Sequence, residues 1–181
     1  MQIQEIAGFL DRADALHLAR LLILISSFEE ESKPAIEGIT KLAKLDFLLR
    51  YPTYFEKAMV ARGVSLSKIV VQDFERKTVE SQMVRFKYGP WDHRLRGHLN
   101  ILAARGLVQL SIDGRTVLIS CTDAGKQAAQ RISENEGYML IHQRAQELKR
   151  HLDIGATQLM RFIYETFPEI ASLKYDEGIA P

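Results

Sequence analysis

One stretch of the chain, Phe86 to Ala129, constrains the fold more than any other, because its punctuation spells helix, hairpin and helix with almost no slack. Gly89 and Pro90 stop a short strand, and Asp92 stands where a side-chain oxygen accepts from the free amides that open a helix. That helix is expected to run to about Arg105 and to end at Gly106. Leu107 to Ile112 and Thr116 to Ser120 are rich in apolar and β-branched residues and flank Asp113-Gly114, a strong short-range hairpin signal. Thr122 then caps a further helix with Asp123 in its first turn, and Gly125 lets that helix lie close against the hairpin. A helix followed by such a hairpin reads as a winged unit, the hairpin being the wing. The expected fold class is mainly α with a small β-wing: a winged helix-turn-helix over 81–134, a helical N-terminal part over 1–80 and a C-terminal helical extension over 135–181, together one compact domain.

The flanking parts read as helices. Leu16, Ala19, Leu22, Leu24, Ile25 and Phe28 recur at helical spacing from Asp14 to Phe28. Ile36 to Leu49 predicts a second helix, apolar over much of its circumference and therefore central, which ends near Tyr51-Pro52. Thr53 is the expected cap of a third helix, Tyr54 to Arg62, stopped by Gly63. Leu66 to Glu80 mixes strand and helix signals and leans towards helix. Beyond the wing, Thr122 to Glu134, Gly137 to Leu152 and Thr157 to Phe167 predict three more helices, the last closed by Pro168. That tail is more apolar than a solitary terminal helix. Either it folds back on the core, the ordinary fate of such a face, or Leu159, Phe162 and Phe167 dock onto a partner chain.

On the wheel of the helix before the hairpin, Leu95, Leu99 and Leu102 make the buried stripe. The opposite face carries His93, Gly97, Asn100 and Ala104, with Arg94, Arg96 and Arg105 at its edges. Small and polar residues in the middle with cations at the margins suit close approach to a DNA groove, where Arg and Asn make bidentate base contacts. Lys87 and Arg115 would add phosphate contacts. An acidic protein partner or plain solvation would suit the same face. The net charge of +1 is modest for a chain living on DNA alone, although residues 76–105 hold seven cations against two carboxylates. The single tryptophan, Trp91, and the aromatics Phe86 and Tyr88 read as core wedges rather than stacking platforms.

Signals for catalysis are weak. No two of His17, His93, His98, His142 and His151 stand four apart as a helical metal pair would require. The single cysteine, Cys121, has no adjacent histidine and excludes an intramolecular disulfide. Gly38-Ile39-Thr40-Lys41 lacks the spaced glycines of a P-loop. The expectation is a protein without catalytic residues, metal or cofactor. The longest strongly apolar run, Leu21 to Ile25, is too short to span a bilayer, so a cytoplasmic protein without membrane contact is expected.

Two motifs together carry a resemblance: Gly38 to Met59, through Lys41, Leu42, Lys44, Leu45, Asp46, Arg50, Tyr51 and Pro52, and Met83 to Val108, through Arg85, Tyr88, Gly89, Pro90, Trp91 and Asp92. The pair resembles the middle-component proteins of ABC-three-component systems, relatives of the Lamassu-type bacterial defence operons. The second motif alone also looks like the Panacea antitoxin domain; the first tips the choice. The resemblance implies a non-catalytic accessory subunit that links an SMC-like ATPase to an effector in anti-phage or anti-plasmid defence, with double-stranded DNA as a candidate further contact. The rival is a DNA-binding transcriptional regulator or antitoxin acting as a homodimer.

Overall fold

The computed structural model describes residues 3–31, 34–75, 83–84, 94–172 and 178–179. Helix α1 (Ile3–Ser27) starts well before the predicted Asp14 and buries the whole run Leu21 to Ile25. An all-apolar run of five turns every way round a helix, so it needs neighbours on all sides. It has them: α1 packs against α2 (Ile39–Arg50), α4 (Leu95–Ala104), α5 (Asp123–Ser133) and α6 (Glu136–Leu152).

Between α1 and α2 the chain departs from the sequence expectation. Ile36 and Glu37 form a two-residue strand, β1 (Ile36–Glu37), instead of the first turn of α2. Strands β3 (Val108–Asp113) and β4 (Thr116–Cys121) form the predicted hairpin, and β1 adds antiparallel to β4 with Ile36 opposite Ile119, so the sheet order is β1-β4-β3. The Gly38 amide donates to the Val117 carbonyl at 2.8 Å and extends the ladder to the doorstep of α2. A second small sheet pairs β2 (Met83–Val84) with β5 (Gly178–Ile179). The strand predicted ahead of Gly89-Pro90 and the Asp92 cap lie outside the described residues.

The hairpin follows its local signals. The helix before it ends at Gly106, φ 68°, where the Gly106 amide donates to the Ala103 carbonyl and the Leu107 amide to that of Leu102, a pairing that closes the last turn. Asp113 pairs with Thr116 across a two-residue turn, with Gly114 at φ 57° in its first position. Thr122 caps α5 as expected, its Oγ1 accepting from the Gly125 amide at 3.0 Å.

Helix α3 (Pro52–Ala61) takes Tyr51, not Thr53, as its N-cap, with Pro52 at the first helical position where a missing N–H costs nothing. The expected helix over Leu66 to Glu80 does not form in its described part: a single 3-10 turn at Leu66–Lys68 leads into an irregular segment. Arg144 of α6 holds that segment, its Nε donating to the Val70 carbonyl at 2.9 Å and its guanidinium pairing with Glu75.

Helix α7 (Ala156–Thr166) ends just before Pro168 as expected, and Pro168 also opens a further short helix, α8 (Pro168–Ser172). Here the partner-docking reading is corrected. Leu159 and Phe167 are 0 % exposed, and Phe162 is half-buried under the Arg62 guanidinium, 5.6 Å from its ring. Phe167 meets Tyr54 at 5.2 Å and Phe47 at 6.3 Å between ring centroids. The face is spent on α2 and α3, and the tail folds back on the core. One hydrophobic cluster runs through elements of all three predicted parts.

Candidate functional site

Helix α4 sits with Leu95, Leu99 and Leu102 buried as the wheel predicts, and His98 joins them. The His98 ring stacks on that of His17 of α1, 5.4 Å between centroids, with the Asp14 carboxylate 3.4 Å from its Nε2. Behind the pair, Arg20 donates to His17 Nδ1 and to Asp46 Oδ1, both at 2.9 Å. Burial and then the nearby guanidinium of Arg20, with Arg50, Arg94 and His98 adding to it, lower the His17 pKa to about 4, so the ring is neutral and accepts. This buried polar cluster fixes the rear of α4.

A second tie anchors α2: Lys41 meets Asp153 at 2.9 Å, and Lys149 bridges Asp153 and Glu30. Lys44 is buried too, its pKa lowered to about 8 by desolvation. The charged residues Lys41, Lys44 and Asp46 of the first resemblance motif thus point into the molecule.

The front of α4 is open. Arg94, Arg96, Gly97, Asn100, Ala104 and Arg105 are exposed, and the hairpin brings Arg115 to the same side. A groove of about 330 Å³ runs between α4 and the hairpin, with Arg96 and Asn100 on one wall and Leu110 and Ile112 on the other. A neighbouring groove of about 400 Å³ carries Arg96 and Arg115 together beside the start of α2, with Glu37 as its carboxylate. Arg96, Arg105 and Arg115 make no ion pair among the described residues. The structure therefore gathers Arg96, Asn100 and Arg115 at one place; Arg94 stands at the start of α4 and Arg105 at its far end. Lys87 and His93 lie outside the described residues. Ile39, Leu110 and Ile112, which line the first groove, were not foreseen as site residues, although Val108, Leu110 and Ile112 alternate in the sequence as one face of a strand.

Cys121 is buried at the inner end of β4, and burial together with the Glu29 carboxylate raises its thiol to about 12, so it remains protonated. Among the described residues, no group of three or more His, Cys, Asp or Glu is placed to hold a metal ion, and no helix is long and apolar enough to cross a membrane. Comparison with family models, curated proteins and solved structures finds no match to this chain.

Proposed function

We propose that this chain is a non-catalytic winged-helix subunit that links an SMC-like ATPase to an effector in a bacterial anti-phage or anti-plasmid defence complex, and that it works in the cytoplasm. The observation that carries the reading is the sheet order β1-β4-β3. Adding β1 to the hairpin draws α1, β1, α2, α4 and the hairpin into one unit, an order that supports the winged-helix reading, with α4 as its reading helix and α3 inserted ahead of it. The resemblance to the middle components of ABC-three-component systems supplies the setting. Its first motif contributes Lys41, Asp46, Tyr51 and Pro52 to ion pairs and a helix start inside the molecule, so those residues serve the fold. Contact with partners falls to the α4 and hairpin face, where the cations Arg96, Arg105 and Arg115 are unpaired among the described residues.

Co-expression with the products of the flanking genes, followed by size-exclusion chromatography at low and high ionic strength, tests the proposal. A stable assembly that contains a coiled-coil ATPase is expected. Elution of the chain by itself at every ionic strength overturns it, and a dimer bound to a palindromic duplex replaces it with the regulator reading.

A further inference from the structure

We infer that the groove between α4 and the hairpin is a docking site for an acidic, apolar-anchored segment of a partner protein. Strand register puts Val108, Leu110 and Ile112 on the same face as Cys121, Ile119 and Val117, directly opposite them. That face is the inner one, and Ile119 is wholly buried. Along β3, however, exposure climbs from 3 % at Val108 through 36 % at Leu110 to 78 % at Ile112. The apolar stripe outruns the helix that covers it. Its outer end faces a groove whose floor is Ile39, Leu99 and Val117.

The rim chooses the occupant. Arg96 and Asn100 line this groove and Arg115 flanks the next one, and neither arginine has a carboxylate partner among the described residues. An apolar floor edged by arginine is the composition of a protein interface, where an apolar anchor fills the centre and charged pairs form at the rim. Carboxylates beside the anchor complement the two guanidiniums. Strand β3 is also the edge of its sheet, six residues long and without the Lys or Pro that usually guards an edge, so an extended segment laid along it finds backbone groups to pair with. DNA fits this groove less well, because Leu and Ile offer nothing to phosphates and little to base edges beyond a thymine methyl. The inference rests on the subunit reading only for who the partner is; the chemistry rests on the groove.

Selection of phage-displayed random dodecapeptides on the full chain tests it, with Ile112→Ser and the double variant Arg96→Ser/Arg115→Ser as controls. Thermal melts verify that these exposed substitutions leave the fold intact. Enriched peptides are expected to carry an aliphatic or aromatic anchor flanked by Asp or Glu, and to bind each variant about tenfold more weakly. Peptides with no acidic bias, or binding that survives both variants, overturn the inference. So does displacement of the peptide by mixed-sequence duplex DNA, or self-association of the chain that Ile112→Ser abolishes. The two proposals fail separately: absence of any ATPase complex removes the subunit reading and leaves the peptide result standing, whereas a complex that persists when Ile112 and Arg96 are both serine removes the docking site and keeps the subunit.

Discussion

A Cβ atom placed on Gly125 would lie 1.9 Å from the carbonyl oxygen of Leu107. The first turn of α5 rests directly on the backbone that joins α4 to β3, and the Thr122 amide donates to the same Leu107 carbonyl at 3.1 Å. Backbone on both sides leaves no flexible side chain to give way. Gly125→Ala is therefore expected to lower the free energy of unfolding by about 3 kcal/mol, read from urea denaturation at neutral pH.

The Arg20–Asp46 pair is buried at both ends, with its partners on α1 and α2. Removing one partner strands the other charge in the interior. Asp46→Ala should destabilise by about 3–5 kcal/mol, whereas Arg20→Met combined with Asp46→Leu should recover most of that loss. A urea-melt cycle over the two singles and the double measures it.

His17 makes stability depend on pH. In the unfolded chain its ring takes a proton near the ordinary histidine value of 6.5, but in the fold only at about 4. Between those values the unfolded chain holds more protons, so this group's contribution is complete above 6.5 and is lost as pH falls towards 4, by up to about 3 kcal/mol. His17→Gln should flatten that slope in denaturation series from pH 7 to pH 4.

Leu159 and Phe167 belong to the core. Phe167→Ala is expected to cost about 3–5 kcal/mol and Leu159→Ala about 2–5 kcal/mol, both seen as lowered thermal midpoints. Phe162→Ala, at a half-buried site, should cost clearly less. Retention of full stability by the Phe167 variant would return that face to a partner.

How much of this was legible depends on how far each signal reaches along the chain. Gly106, the Asp113-Gly114 turn, Thr122 and Gly125 act within a few residues of themselves, and the hairpin and the helix after it formed as read, while the helix before it ends as read but starts at Leu95 rather than directly after Asp92. Pro52 carries a local signal too, for a first helical position, yet Thr53 drew attention as the nearer capping side chain. Strand β1 was not legible: two residues gain their structure from a partner 83 positions onward, and Ile36 by itself suits a helix as well as a strand. Nor was the burial of Lys41, Lys44 and Asp46, since a charged residue on a helix announces a solvated face until a partner such as Asp153 or Arg20 is known to lie opposite. The segment after Leu66 failed for a related reason: the side chain that fixes it, Arg144, comes from α6. At the candidate site, the cations stood out by type, while Ile112 needed the register to show which way it faces.

The bond between β1 and β4 also sets a timetable. Ile36 leaves the ribosome long before Ile119 exists, so the emerging N-terminal helices cannot complete their sheet until the hairpin has been synthesised behind them. Contacts of such separation slow folding and keep apolar surface uncovered in the meantime. An N-terminal fragment that stops at residue 80 would hold β1 without its neighbour, and a C-terminal fragment starting there would hold a hairpin with one edge too many. The molecule is made in sequence, but its N-terminal helices wait on a hairpin synthesised far behind them.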